Sequence, residues 1–137
     1  MIAIVKSNFN LSITDALLAG CKQTLEERGF GYKLVEVPGA IETVGISKKL
    51  TLDPVYKAII VIGAVIKGET DHYEYVCNFA THGLSILSAQ ANIPIVFGIL
   101  TTQTEEQALD RALPDRMNKG KEFAETAVEM IRIYKQL

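Results

Sequence analysis

The chain lacks the residues that several common sites and compartments require. Its 137 residues include no tryptophan and only two cysteines, Cys21 and Cys77, without a C-x-x-C pair or a cysteine–histidine cluster. Zinc sites and disulfide frameworks depend on such spacings, so neither is predicted. No apolar run is long enough to span a bilayer, and a strand that begins at Ile2 leaves no room for a signal peptide. We therefore expect two reduced, buried thiols, no metal and a cytoplasmic protein.

Net charge is also nearly absent, at −2 for the whole chain. A strong positive excess is what draws proteins to nucleic acids and anionic membranes, so neither is an expected partner. The glycine-rich dinucleotide motif, the P-loop and the G-x-S-x-G nucleophile elbow are missing as well. These absences exclude the commonest nucleotide-binding patterns of α/β proteins and give no support to a serine hydrolase.

What the chain does contain is a regular alternation of strand-like and helix-like segments. Apolar or alternating runs predict strands at 2–5, 32–37, 58–65 and 95–100, and the segments between and after them have helical spacing. Helix starts are predicted from capping residues, namely Ser12, Thr104 with Gln107, and Asn118. Strict alternation predicts one domain over residues 1–137, a three-layer α/β/α fold of the flavodoxin-like type. In it, helices cover both faces of a four-stranded parallel sheet.

Ligands of open α/β sheets collect at the loops after the strands, and the loop after the third strand is the richest. It reads KGETDH from Lys67 to His72. Gly68 and Thr70, lying before a helix N-terminus, can present amides and a hydroxyl to an anion. His72 can move protons near neutral pH, although a solvated surface histidine explains its spacing equally well.

Three residues near other strand ends have both a structural and a functional interpretation. Phe9 can stack on a flat heterocycle or pack against the next helix. Glu42 can interact with a helix dipole or accept hydrogen bonds from a polyol. Arg111 can form a surface ion pair or bind a phosphate with its planar guanidinium. The residues alone therefore predict a domain that binds a small phosphorylated or anionic ligand, with His72 as the best proton carrier.

Six segments, in order and spacing, resemble the lumazine synthases, which catalyse the penultimate step of riboflavin biosynthesis. They are SNFN (7–10), VPGAIE (37–42), GAVIKGETDHY (63–73), PIVFGILT (94–101), EQALDRA (106–112) and NKG (118–120). The resemblance spans nearly the whole chain. It implies a transferase that condenses 5-amino-6-(D-ribitylamino)uracil with 3,4-dihydroxy-2-butanone 4-phosphate. The products are 6,7-dimethyl-8-ribityllumazine, phosphate and water, and no cofactor is required because the substrate supplies the amine nucleophile.

The resemblance also implies roles for individual residues. His72 would be the general acid/base. The pyrimidine and its ribityl chain would be bound by Phe9, Ala40, Ile41, Glu42, Val65, Ile66, Lys67, Phe97 and Lys119. The phosphate would be bound by Gly68, Glu69, Thr70 and Arg111. Family sites lie between adjacent subunits, so the partner would be a second copy of the chain, in a homopentamer or an icosahedral shell of pentamers. Phe97, Arg111 and Lys119 would then come from the neighbouring subunit.

Three positions depart from the commoner family pattern. Lys67 replaces a frequent arginine, a change expected to be harmless because the main chain makes the contact. The other two are Ile41 and Asp71. Ile41 stands where many members have an aromatic residue, which removes one aromatic wall from the ribityl pocket. Asp71 replaces a frequent proline and adds a negative charge beside His72. Both changes fall in loops that are expected to contact the substrates.

Three alternatives stay open. A riboflavin synthase of the archaeal type would act on two lumazines and would not need Thr70 and Arg111 for phosphate. A non-catalytic lumazine- or flavin-binding shell protein would not need His72. A flavodoxin-like or receiver-like module is the third alternative, and the absence of any acidic residue between Ile2 and Asn10 counts against a receiver.

Overall fold

A computed structural model describes all 137 residues and shows strands and helices in the predicted order. The strands are β1 (Ile2–Ser7), β2 (Tyr32–Val37), β3 (Ala58–Ile66) and β4 (Ile95–Thr102). The helices are α1 (Leu11–Glu27), α2 (Glu42–Leu50), α3 (His72–Gln90), α4 (Glu105–Ala112) and α5 (Lys119–Tyr134). None of these helices combines the length and the apolar content that a membrane crossing requires.

The four strands form one parallel sheet in the order β2-β1-β3-β4. Strand β3 therefore lies inside the sheet, and Val61 pairs with Val5 of β1 on one side and with Phe97 of β4 on the other. A strand with neighbours on both edges can avoid water only if both of its faces are also covered. The predicted parallel sheet is confirmed.

Two hydrophobic cores cover the two faces of the sheet. On one face, Ile2 and Ile4 of β1 pack in a core with residues of α1, α4 and α5. On the other face, Ala3 and Val5 pack in a smaller core with residues of α2 and α3. Successive residues of β1 thus point to opposite layers, as the period of a strand requires. The predicted three-layer α/β/α arrangement of the flavodoxin-like type is confirmed.

The predicted helix starts differ in their outcomes. The capping box at α4 is confirmed, because the Gln107 N–H donates to Thr104 Oγ1 at 3.2 Å and the Gln107 side chain accepts from the Thr104 N–H. The prediction for Ser12 is wrong, since α1 begins at Leu11 and Asn10 precedes it in a left-handed conformation with φ 62°. Asn118 does precede α5, but it forms no side-chain capping bond there.

The two cysteines differ in burial. Cys21 on α1 is fully buried, whereas Cys77 on α3 is only half-buried, and both are free thiols. Burial raises the pKa of the Cys21 thiol to about 12, so this thiol is neutral and unreactive at physiological pH. The expectation of a buried thiol is therefore met in full only by Cys21.

Helices α1 and α5 approach each other closely because of two glycines. A Cβ atom at Gly120 would overlap the backbone carbonyl of Leu17, and one at Gly20 would overlap the side-chain oxygen of Asn118. The Leu17 carbonyl belongs to the backbone and cannot move without shifting α1, whereas the Asn118 side chain can rotate. The contact fixes the N-terminus of α5, where Lys119 lies, against the middle of α1.

We expect Gly120→Ala to lower the free energy of unfolding by about 1–3 kcal/mol, because the added methyl group forces two backbones apart. Gly45, exposed in the interior of α2, is a matched control: a Cβ there meets nothing within 4 Å. Gly45→Ala should stabilise the protein by roughly 0.5–1 kcal/mol through its better helix propensity. Urea unfolding of both variants at one protein concentration measures the difference. Equal stability of the two variants would contradict the close approach of α1 and α5.

Candidate active site

A cavity of about 330 Å³ lies at the carboxyl edge of the sheet, beyond the ends of β1, β2 and β3. Nine of the fourteen residues that were predicted from the sequence line it, namely Phe9, Ala40, Ile41, Glu42, Val65, Ile66, Gly68, Thr70 and His72. These residues come from loops that are far apart in sequence. The parallel sheet brings them together because all its strands end at the same edge.

The first loop presents an aromatic ring on a tightly held backbone. The Asn8 N–H donates to the Val37 carbonyl of β2 at 2.8 Å, and the Phe9 N–H donates to Ser7 Oγ at 3.3 Å. The Asn10 side-chain amide donates to the Ala64 carbonyl of β3 at 2.8 Å. The loop is therefore held to β2 and β3 while the side chain of Phe9 stays 70% exposed. An exposed ring on a fixed backbone is suited to stacking on a flat ligand.

The second loop, after β2, provides an apolar wall and a carboxylate. Thr43 donates its hydroxyl to the Ala40 carbonyl at 2.5 Å, which fixes the turn that leads into α2. Ile41 is half-buried and lines the cavity. Glu42 is the first residue of α2, where the helix dipole favours its negative charge, and it forms no ion pair. Its oxygens are available to accept hydrogen bonds from a ligand.

The third loop, after β3, combines free amides with an imidazole. Gly68, Thr70 and His72 are all exposed to solvent, and the His72 N–H lies 3.4 Å from Thr70 Oγ1. His72 is the first residue of α3, and the amides of Gly68, Glu69 and Thr70 just before it form no hydrogen bond within the chain. A helix N-terminus with unpaired amides is suited to binding an anion. The cavity therefore places an anion site beside a group that can transfer protons.

Four cavity residues were not predicted from the sequence: Gly39, Ala64, Tyr73 and Val76. Tyr73 and Val76 follow the apolar spacing of α3, which indicates core packing and gives no separate signal for a ligand. Burial, and then the neighbouring Cys77 thiol, raise the pKa of the Tyr73 phenol. The phenol therefore stays neutral and can donate a hydrogen bond at the back of the cavity.

Two predicted residues of the third loop do not line the cavity. Lys67 and Glu69 are exposed on the same loop, and their side chains point elsewhere. The Lys67 N–H donates to the Thr102 carbonyl at 3.0 Å and so continues the pairing of β3 with β4. No group of three or more histidine, cysteine, aspartate or glutamate side chains in the chain is placed to hold a metal ion.

The remaining predicted residues, Phe97, Arg111 and Lys119, lie outside the cavity of a single chain. Phe97 is 42% exposed on β4. Arg111 is half-buried at the end of α4, where its Nη1 donates to the Gln107 carbonyl at 3.0 Å without any carboxylate partner. Lys119 pairs with Glu122 at 2.6 Å. Their action from a neighbouring subunit stays a prediction.

Fold and cavity together define a flavodoxin-like α/β protein with a cavity of small-ligand size at the carboxyl edge of its sheet. Residues 1–135 match the family model described as 6,7-dimethyl-8-ribityllumazine synthase. The chain is 45% identical over 139 residues to 6,7-dimethyl-8-ribityllumazine synthases of Coxiella burnetii strains CbuG_Q212, RSA 493 / Nine Mile phase I and Dugway 5J108-111. Each alignment covers 99% of this chain and 92% of the relative. The chain belongs to the 6,7-dimethyl-8-ribityllumazine synthase family.

Proposed function

We propose that this chain, as one domain over residues 1–137, condenses 5-amino-6-(D-ribitylamino)uracil with 3,4-dihydroxy-2-butanone 4-phosphate. The products are 6,7-dimethyl-8-ribityllumazine, phosphate and water, and the enzyme is a transferase. Membership of the family over nearly the whole chain supports the reaction. The observation that carries the proposal is the cavity, which joins an exposed aromatic ring, a free carboxylate and the N-terminus of α3 at His72.

The pyrimidine side of the cavity is built by the first two loops and the end of β3. The ring of Phe9 stacks on the flat pyrimidine, and main-chain groups of Val65, Ile66 and Lys67 hydrogen-bond to its edge. Glu42 accepts hydrogen bonds from the ribityl hydroxyls, with help from the backbone at Ala40 and Ile41. The free Glu42 carboxylate and the exposed Phe9 ring support these assignments.

The phosphate side of the cavity is built by the third loop. The amides around Gly68 and Glu69, and the hydroxyl of Thr70, bind the phosphate of the butanone at the N-terminus of α3. The unpaired amides of that turn support this assignment, because fixed dipoles stabilise the negative charge that grows on phosphate as it leaves.

His72 acts as the general acid/base. The substrate amine attacks the ketone of the butanone and water is lost, which gives a Schiff base. Phosphate is then eliminated and the resulting enol becomes a ketone. The ribitylamino nitrogen attacks this carbonyl, and the ring closes with loss of a second water. His72 carries protons between these steps, and the exposed imidazole beside Thr70 supports the role. Much of the remaining rate enhancement comes from holding the two substrates side by side.

The active enzyme is a homo-oligomer, and the finer proposal is a pentamer whose sites lie between adjacent subunits. Phe97 and Lys119 would close the pyrimidine site from the neighbour, and Arg111 would reach the phosphate. The guanidinium of Arg111 has no carboxylate partner, which supports this role. The proposal also includes a larger assembly, an icosahedral shell built from such pentamers. The proposed location of the enzyme is the cytoplasm.

Mixing the purified protein with both substrates tests the reaction directly. We expect lumazine absorbance and phosphate to appear one-to-one, faster than in the absence of protein. Tight binding of lumazine without acceleration would instead identify a binding or shell protein. Conversion of lumazine into riboflavin without release of phosphate would identify a riboflavin synthase.

His72→Ala should lower kcat by about 10²-fold, the low end of what a general acid/base contributes, because the nucleophile is the substrate's own amine. Both substrates should still bind, with little change in either KM. His82→Ala, which removes an exposed histidine from the middle of α3, is the matched control. A kcat for His72→Ala equal to that of His82→Ala would remove His72 from the mechanism.

Arg111→Ala should raise KM for the butanone phosphate about 10- to 100-fold, as expected for the loss of a charge-assisted hydrogen bond worth about 1.5–3 kcal/mol. KM for the pyrimidine should change little. Arg116→Ala is the matched control, since Arg116 is already paired with Glu106 at 3.0 Å and Asp110 at 2.5 Å. Equal rises of both KM values in Arg111→Ala would contradict a phosphate-binding role.

A further inference from the structure

One charged side chain lies in the interior of the protein. Lys6, near the end of β1, has a side chain that is only 3% exposed, and no other charged residue is buried. It lies on the face of the sheet that α1 covers, the face away from α2 and α3. Placing an ammonium group there costs several kcal/mol of lost hydration unless partners compensate, by the general cost of burying ions.

Two carboxylates hold this ammonium. Lys6 Nζ lies 2.5 Å from Asp15 Oδ1 of α1 and 3.1 Å from Glu36 Oε1 of β2, and Glu36 is the residue opposite Lys6 in the sheet. The side chains of Asp15 and Glu36 are themselves 59% and 49% exposed. A single buried cation therefore connects the end of β1, the end of β2 and the start of α1.

The contacts of Lys6 argue against a covalent role. Burial alone would lower the pKa of the ammonium, but the hydrogen bonds to Asp15 and Glu36 outweigh it and raise the pKa. The amine is therefore protonated and enclosed, and it cannot form a Schiff base with a ketone. Replacing a buried ion pair by an apolar side chain of similar volume is often neutral or stabilising, so overall stability does not account for the lysine either.

The position of Lys6 in the chain indicates what it holds. Lys6 and Asp15 are nine residues apart, and the segment between them contains the loop that bears Phe9. Hydrogen bonds from Asn8 and Asn10 fix that loop to β2 and β3 on the cavity side. The Lys6–Asp15 pair fixes its other end, the start of α1, to the opposite face of the sheet.

We propose that Lys6 is a positioning residue for Phe9: by holding Asp15 and Glu36 it sets the start of α1 against the sheet, and with it the placement of the Phe9 ring. The inference rests on the proposed function, because the position of the Phe9 ring is measured through the binding of the pyrimidine that stacks on it. Lys6 contacts no substrate. Its loss should therefore affect the pyrimidine and leave the phosphate end of the site unchanged.

Lys6→Met keeps most of the volume and removes the charge. The Asp15 and Glu36 side chains are 59% and 49% exposed, so their carboxylates can stay hydrated without the ammonium and the protein should still fold. We expect KM for the pyrimidine to rise about tenfold, less than the about 10²-fold that a 1 Å misplacement can cost. KM for the butanone phosphate should stay within about twofold, since its loop is held by other residues. Lys33→Met, the loss of an exposed lysine from β2, is the matched control and should change neither KM.

A double variant tests whether the effect passes through the ring. If Lys6 acts by placing Phe9, then Lys6→Met should add no further loss of pyrimidine binding to Phe9→Ala, since the two changes remove one interaction. Losses that multiply in the double variant would overturn the proposal. Equal rises of both KM values, or no rise in Lys6→Met, would overturn it as well.

Hydrogen exchange separates a failure of this inference from a failure of the proposed function. If the wild-type protein makes no lumazine, the reaction is wrong, yet the placement of the loop can still be measured. We expect the amides of Asn8 and Phe9 to exchange at least about threefold faster in Lys6→Met than in Lys33→Met, because their hydrogen bonds open more often. Equal exchange in the two variants would show that Lys6 does not hold the loop.

Discussion

The burial of the apolar run of β3 is the constraint on which the remaining structure depends. Residues 58–62 are shielded on both faces of the sheet, and 59–62 are paired on both edges. Each isoleucine or valine removed from water in this way contributes about 1.5–3 kcal/mol, which an unaccompanied strand cannot obtain. Two helical layers and two neighbouring strands are required. Parallel pairing then brings the strand ends to one edge, so the position of the candidate site follows from the burial of an apolar strand.

The fold could be predicted from the sequence because the spacing of the apolar side chains differs between strands and helices. The apolar runs of β1 and β3 and the capping box at Thr104 are local signals, and they gave the right elements. Strand ends were less predictable. Strand β1 continues through Lys6 and Ser7 because the backbone goes on pairing with β2, whatever the side chains are. Nothing in the local pattern indicates that Lys6 is buried, since its two carboxylate partners come from other elements.

The candidate site was predictable where one loop carries several chemical groups, as it does from Gly68 to His72. Tyr73 escaped prediction because an aromatic residue at helical spacing fits a core equally well. Arg111 and Lys119 were predicted from resemblance, and a single chain leaves both outside the cavity. Whether they reach a cavity depends on how copies of the chain pack against each other. The surfaces that determine this packing have no local sequence pattern.

The order of the strands leaves β4 at one end of the sheet, with no strand paired to its outer edge. From Ile95 to Thr102 this strand carries no charged residue and no proline, the devices by which proteins usually protect such an edge. A newly made copy therefore presents an uncharged template for β-pairing until something covers it. In the proposed oligomer, correct association of copies and aggregation would compete for such an edge, so the rate of correct association would decide how much protein aggregates.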